Sequence, residues 1–454
     1  MTSSCTAFSS LSQLLLEKRE NTLVAFGSEG DITWTQFLAD VSDHINLINE
    51  TPHQIVALCA RDSYLFSVGL FALFYAGKTV ILPGNYQPEA LEELSSQFDL
   101  LLCDEAISPL RNTETQLITT GHNNSLFGFA ALSPESIQLI LFTSGSSGTP
   151  KAIHKSLSQL SVEVDILHSL WGEQTSNSRV ESTVSHQHIY GLLFRVLWPL
   201  CSANPFARHN LEFPEQITHH ANQDTVLISS PALLKRLTEE HQPTKLRCLF
   251  SSGGPLPFVA ANHAQELFSF KPIEVFGSTE TGGIAYRQQT TEQTPWSLFP
   301  KVEAELNHER CLRLRSAHID PTGWYQTADE CEFVSDNQFI LKGRTDRIIK
   351  VEEKRVSLVE VEKRVDQLDY VQECAVIPMQ QADRLILAAA IVLTESGKTK
   401  LTELGKGKFW LLLRNELRRW LEPIAVPRSF RVVKEIPLNS QGKRQVAELE
   451  KLFQ

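Results

Sequence analysis

The stretch Leu139–Lys151, LILFTSGSSGTPK, is the densest local concentration of ligand-handling groups in the chain. An apolar run that reads as a buried strand opens into Thr143, Ser144, Gly145, Ser146, Ser147 and Gly148, with Lys151 behind them. Glycines let a backbone fold closely around an anion, and successive N–H groups and hydroxyls can donate to phosphate oxygens. The loop is not a Walker A motif, which needs Gly-Lys-Ser/Thr. Thr149-Pro150 separates Gly148 from Lys151, and Pro150 has no N–H to offer. A flexible Ser/Gly turn would have the same composition. Ser251-Ser252-Gly253-Gly254-Pro255 also follows an apolar run and fits either a ligand-facing loop or a plain strand-ending turn. In SHQHIYGLLF, His186 and His188 stand two apart, but no Cys, Asp or Glu cluster accompanies them, which argues against a metal pair. Lys443 occupies a Gly-Lys turn near the C-terminus, where a lysine taken alone is ordinary surface.

Apolar runs and helix-like segments alternate through the first 340 residues. Ile55–Ala60, Thr79–Leu82, Ile137–Phe142, Val226–Ser229, Leu246–Phe250 and Ile273–Phe276 read as short buried strands, and Tyr64–Ala76 reads as a helix. That alternation predicts α/β architecture, in which ligands collect beyond the carboxyl ends of strands. Three such ends, after Phe142, Phe250 and Phe276, run directly into Gly/Ser/Thr loops.

The chain has 454 residues and a net charge of −11, which argues against a nucleic-acid binder held by its overall field. Charge is unevenly placed. Residues 343–454 hold 21 Lys and Arg against 16 Asp and Glu, whereas residues 1–342 hold 21 against 37. The inversion predicts two domains, 1–342 and 343–454, the smaller one meeting something anionic. Within it, Leu411–Leu421 reads as an amphipathic helix carrying Arg414, Arg418 and Arg419. The eight cysteines include no CxxC pair and read as reduced thiols. The N-terminus lacks a signal-peptide pattern and no run is long enough for a membrane span, so a cytoplasmic protein is expected.

The string TSGSSGTPK resembles the phosphate-binding signature of the adenylate-forming superfamily, the AMP-binding enzymes that include acyl- and aryl-CoA synthetases, peptide-synthetase adenylation domains and luciferases. Four further motifs follow in the family's order. VFGSTETGG (Val275–Gly283), GWYQTADE (Gly323–Glu330), GRTDRIIKVEEKRVSLVEVE (Gly343–Glu362) and PLNSQGKR (Pro437–Arg444) resemble its Gly-x-Thr-Glu, Thr-Gly-Asp, hinge and C-terminal lysine motifs. The resemblance spans nearly the whole chain. It implies a large N-terminal domain of mixed sheets flanked by helices and a small mobile α+β C-terminal domain.

The resemblance also implies roles. Thr143–Gly148 and Lys151 would hold the β,γ-phosphates of ATP, Thr279 would donate to the α-phosphate, and Glu280 would bind Mg²⁺, a cation that prefers oxygen. Phe276 would stack on adenine beside Gly253 and Gly254, while Asp329 and Arg344 would bind ribose. His188, in a segment similar to the family's His-x-x-Gly, would gate the acid pocket, near Ser229, Ser252 and Val275. Lys443 would bridge the substrate carboxylate and the α-phosphate, where a fixed cation favours the transition state. The implied reaction joins ATP and a carboxylic acid, fatty or aromatic, into an acyl-adenylate and pyrophosphate. The small domain would then pivot about Asp346, and a pantetheine thiol of an acyl carrier protein or coenzyme A would take the acyl group. The excess of basic residues in the small domain favours an acidic carrier protein over coenzyme A.

Two positions depart from the family pattern. Ala328 replaces the glycine of Thr-Gly-Asp, which is tolerable unless the backbone there needs a positive φ. Glu353 stands where a glycine usually flanks the pantetheine tunnel, which leaves the first half-reaction better supported than the second. A catalytically degenerate binding homologue and a stand-alone amino-acid adenylation domain are the rival readings. Against the latter, LISSPALL (Leu227–Leu234) carries no acid to meet an α-amine.

Overall fold

The computed structural model describes residues 8–454 except Glu20, Asn85, Gln87, 122–125, 136–137, 145–149, 345–347, 352–353, 382–383, Glu422 and 440–443. By contact the chain forms two compact units, 1–303 with 315–325, and 304–314 with 326–454. The smaller unit thus takes up chain well before the charge inversion at Lys342–Gly343, a point that lies inside the strand Gln338–Arg344. Charge records what a surface faces, whereas contacts record which strands pair, so the two criteria need not coincide.

The larger unit is α/β. One sheet runs in the order Glu114–Leu117, Leu100–Cys103, Ile55–Cys59, Thr79–Leu82, Gln138–Ser144, Pro150–Ser156. Its first five strands are parallel and the last is antiparallel. The helix Ser63–Tyr75 links two of the parallel strands and is buried nearly all round, as its sequence SYLFSVGLFALFY dictates; the Asp62 side chain accepts from the N–H groups of Tyr64 and Leu65 and caps it. A second run of parallel strands comprises Phe206–Ala207, Arg179–Ser182, Thr225–Ser229, Cys248–Ser251 and Ile273–Ser278. Beyond it, Gly282–Arg287 and Trp296–Leu298 pair antiparallel. The expected strand Thr79–Leu82 is found with the same limits. The expected Leu246–Phe250 is Cys248–Ser251, because the Leu246 N–H is drawn to the Phe268 carbonyl instead of into the ladder.

The smaller unit is α+β. Val371–Gln381 and Arg384–Leu393 form a hairpin, Ser429–Val432 joins it in parallel, and the helices Leu358–Asp366 and Glu395–Leu417 accompany it. Val361, Val365, Val376, Ile391, Phe409, Leu413 and Phe430 belong to one core. The expected helix Leu411–Leu421 is the tail of this longer one. It starts at a Thr394 cap, breaks helical geometry at Gly405 (φ 72°, ψ 161°) and ends before Arg418. The polar KTKLTELGKGK stretch hides the first half from a hydrophobic-periodicity reading. Among the described residues no helix is long and apolar enough to cross a membrane.

Candidate active site

In the larger unit the candidate phosphate- and metal-handling residues gather on two turns. The strands Gln138–Ser144 and Pro150–Ser156 pair antiparallel with Thr143 opposite Lys151 and Ser144 opposite Pro150, so their ladder holds together the two ends of the phosphate-loop sequence. Gly145, Ser146, Ser147 and Gly148 themselves lie outside the described residues. Thr279 and Glu280 occupy the turn between Ile273–Ser278 and Gly282–Arg287. Lys151 Nζ lies 3.2 Å from Glu280 Oε1, which joins the two turns. Burial pushes the Glu280 carboxyl upward. Its own backbone N–H, Lys151 and Ser278 outweigh that, so its pKa falls below the usual value and it stays ionised. An ionised, accessible carboxylate suits a hard divalent cation.

This turn is held from beneath by buried groups. Lys155, 3% exposed, donates from Nζ to the Glu280 carbonyl at 2.8 Å and to the His318 carbonyl at 3.3 Å. Glu163, 1% exposed, accepts the Gly283 N–H at 2.6 Å. His318 Nε2 meets the Gly283 carbonyl at 2.9 Å, and its Nδ1 meets Ser316 Oγ at 2.9 Å. Gly282 has φ +68°, and a Cβ there would sit 2.2 Å from the Glu163 carboxylate, so only glycine fits. Desolvation dominates the electrostatics. It lowers the Lys155 pKa against the pull of Glu163 and Glu280, raises Glu163 to about 7, and lowers His318 to about 4, so His318 is neutral. Desolvation is the largest influence on all three groups and opposes the Lys155–Glu163 attraction, so the pair is a weak source of stability and a strong constraint on geometry.

Strand alternation sorts the neighbouring residues. Phe250 pairs with Ile273 and Ser251 with Glu274, so Val275 shares a face with Phe250, while Phe276 shares the opposite face with Glu274. Phe276 is partly exposed and lies 5.3 Å from the Trp296 ring. Ser252 Oγ donates to the Val275 carbonyl at 2.8 Å, and Gly253 follows with φ +94°, ahead of Gly254. Thr183 donates to Ser229 Oγ at 3.0 Å. His188 is half-buried at the start of the helix Ile189–Gly191. Both ring nitrogens of His186 are engaged, by Ser63 Oγ at 3.0 Å and the Ala60 carbonyl at 2.8 Å, which gives that histidine a structural task.

In the smaller unit, Asp329 and Arg344 stand directly opposite each other in the antiparallel ladder of Asp320–Ser335 and Gln338–Arg344. The register thus brings together two residues 15 apart in sequence. Asp329 is buried, and its N–H donates to Thr327 Oγ1 at 3.1 Å. Ala328 lies within the extended strand, so the alanine suits its position without strain. Asp346, Glu353 and Lys443 lie outside the described residues. The segment carrying Lys443 is flanked by a bridge between Leu438 and Arg444. Arg444 is anchored by an ion pair to Glu362 and by a 2.9 Å hydrogen bond to the Cys374 carbonyl. Glu362 in turn accepts the Val376 N–H at 2.7 Å.

Sequence reasoning missed Lys155, Glu163, His318 and the Arg444–Glu362 anchor. Two had a signal. Lys155 follows Ile153 at an inward strand position, and Glu163 lies beside Leu160, Val164 and Leu167 on an otherwise apolar helix stripe. His318 carried none, because its task depends on a carbonyl 35 residues away.

A family model described as AMP-binding enzyme matches residues 16–309, and one described as AMP-binding enzyme C-terminal domain matches 360–443. The chain is 26% identical over 314 residues to 4-coumarate–CoA ligase of Halorhodospira halophila, covering 68% of this chain and 75% of that one. It is 22% identical over 461 residues to D-alanine–D-alanyl carrier protein ligase of Staphylococcus aureus, covering 91% and 92%. It aligns over 94% of its length with malpinin synthetase of Mortierella alpina at 23% identity, yet spans 6% of that protein. The ATP-bound crystal structure of MatB from Rhodopseudomonas palustris superposes with a TM-score of 0.82 at 17% identity, covering 98% of this chain and 99% of that one, which shows a shared fold.

Two outcomes test the buried cluster. Lys155→Met leaves two carbonyls without their donor and Glu163 without its countercharge, and is expected to cost about 3 kcal/mol in urea unfolding. The Glu163 pKa, near 7 in the fold against 4.5 ordinarily, means the fold favours the protonated acid. Its contribution is therefore complete below about pH 4.5 and is lost as pH rises to about 7. Thermal unfolding followed from pH 4.5 to 8 should show that decline in the wild type and a flatter profile in Glu163→Gln.

Proposed function

The chain belongs to the AMP-binding enzyme family, and from that premise we propose that it activates a carboxylic acid with ATP and passes the acyl group to a pantetheine thiol. The Lys151–Glu280 pair at 3.2 Å carries the reading, since it joins the phosphate-loop hairpin to the Thr279–Glu280 turn in one unit. Members of this superfamily use ATP. In the first step a substrate carboxylate oxygen attacks the α-phosphorus, a bond to the acyl oxygen forms, and pyrophosphate leaves. Both reactants are anions, so the chain must cancel repulsion and hold them in line. Lys151 and the loop Thr143–Gly148 neutralise the leaving phosphates, Thr279 donates to the α-phosphate, and Phe276 with Gly253 and Gly254 flanks adenine. Mg²⁺ would be held by Glu280, where it would neutralise phosphate charge.

Asp329 and Arg344 bind the ribose, and their opposed register supports a shared ligand. Lys443 serves the adenylation step, with the Arg444–Glu362 anchor fixing the chain beside it. A pivot at Asp346 between 1–342 and 343–454 then exchanges Lys443 for the hinge-motif face. In the second step the thiolate attacks the acyl carbon, a C–S bond forms, and AMP leaves with the acyl oxygen. The acceptor is an acidic acyl carrier protein, favoured over coenzyme A by the basic excess of residues 343–454. The cytoplasm, where ATP and carrier proteins are available, is the place for this reaction.

ATP–pyrophosphate exchange over a panel of fatty, benzoic, cinnamic and amino acids tests the first step. Lys443→Ala is expected to lower exchange by about 10² or more, the scale of losing one charge-stabilising contact in a transition state. Undiminished exchange in that variant would remove Lys443 from the mechanism. Holo carrier protein and coenzyme A supplied in parallel test the acceptor: carrier protein should give the higher turnover at low salt and lose its advantage as salt rises, and equal turnover with coenzyme A would defeat the assignment.

A further inference from the structure

Two lysines of one strand converge on Glu280. Pro150–Ser156 is extended, so Lys151, Ile153 and Lys155 share a face. Lys151 stands beside the phosphate-loop sequence with its side chain 59% exposed, and it meets the Glu280 carboxylate. Lys155, about 13 Å farther along the strand by its rise per residue, is buried and meets the Glu280 carbonyl. One residue is thus held twice, by its side chain from the solvent side and by its backbone from the core.

The two holds differ in kind. An exposed ion pair is worth little, so a phosphate or a cation can take a partner's place at small cost. A buried ammonium has no water to turn to, and breaking its bond leaves a charge and a carbonyl unpaired. Lys155 is also part of a closed frame. Its second bond reaches the His318 carbonyl, and Gln159, in the first turn of the helix Leu157–Trp171, donates to the neighbouring Ile319 carbonyl at 2.8 Å. His318 and Glu163 in turn engage Gly283 at its carbonyl and its N–H. The turn itself is braced from within, since the Ser278 N–H donates to Thr281 Oγ1 at 3.0 Å and the Thr281 N–H donates to Ser278 Oγ at 3.2 Å. A braced turn moves as a unit, so the group that pins its carbonyl sets where its carboxylate is presented. Mg²⁺ demands near-ideal octahedral geometry, and the groups that orient a metal's ligands govern its affinity.

Resting on the ATP-dependent reading above, we propose that Lys155 is a positioning residue for the divalent cation that accompanies ATP: pinned to the Glu280 carbonyl, it aims a carboxylate that it does not itself touch. Lys151 can yield that carboxylate to a cation, whereas Lys155 keeps its hold on the backbone. Lys155 lies outside the TSGSSGTPK string, and its role is set by the strand face it shares with Lys151.

The test is calorimetric binding of ATP, without any acid, in Mg²⁺ and in EDTA. Wild type should bind the Mg²⁺ complex more tightly than metal-free ATP. Lys155→Met keeps the length of the side chain and removes the donor. In protein shown folded by circular dichroism, it should weaken binding of the Mg²⁺ complex by about tenfold or more and leave metal-free binding unchanged. A merely structural role would lower the folded fraction and move both media alike. If Lys155→Met does not fold, Lys155→Gln, one atom too short to serve both carbonyls, is held to the same two readings. Equal loss in both media, no loss in either, or a wild type indifferent to Mg²⁺ would overturn the assignment of Lys155. A wild type that binds no ATP in either medium would instead remove the nucleotide reading, and the inference with it.

Discussion

An anionic side chain that must meet phosphate and metal cannot also be buried deeply enough to fix its own position. On the proposed reading Glu280 meets that conflict through its backbone. Its carboxylate remains accessible and ionised, while Lys155 grips its carbonyl from within the core and Glu163 and His318 grip Gly283 three residues on. The rigid parts are main-chain atoms, and the reactive part is the side chain they present. A carbonyl held by a buried ammonium has no water to trade with, so letting go costs a charged hydrogen bond, about 1.5–3 kcal/mol.

The buried charges that do this holding are expensive. Glu163 and Lys155 both have pKa values displaced toward neutrality, in the direction desolvation imposes, despite their mutual attraction. Packed apolar residues of similar volume often stabilise a fold as well or better. Retaining a lysine and an acid beneath the Glu280 turn is thus consistent with selection for placement, in the way supporting groups orient the residues above them. Gly282 fits the same logic, since its positive φ brings Glu163 against the backbone at a distance no side chain permits.

What could be read in advance follows a physical divide. Strands such as Thr79–Leu82 and the buried helix Ser63–Tyr75 were legible because burial on both sides leaves an unbroken apolar run with polar ends. The candidate residues stood out because the ligands proposed for them, phosphate, metal and ribose, each ask for particular donors in a local string. Residues whose work consists of holding another residue were not. Lys155 and Glu163 broke an apolar pattern, and that break was the signal; His318 and Arg444 broke none, since their partners lie in distant sequence. The smaller unit's long helix was half hidden for a related reason: capping by Thr394 and packing by Phe409 and Leu413 override a polar, glycine-interrupted stretch.

The helix Leu157–Trp171 ties the two halves of the larger unit's chemistry together. At its middle Glu163 holds Gly283 beneath the Glu280 turn, and about two turns later Trp171 packs against Phe250 and Tyr286. One helix therefore contacts both the strand that follows the Glu280 turn and the rings packed on the sheet beside it. Its capping box, in which Ser156 and Gln159 satisfy each other's backbone N–H groups, starts one residue after Lys155. Lysine, cap, acid and tryptophan thus fall in order along 17 residues of chain. A shift of this helix along its axis would move the Glu280 turn and the aromatic cluster together.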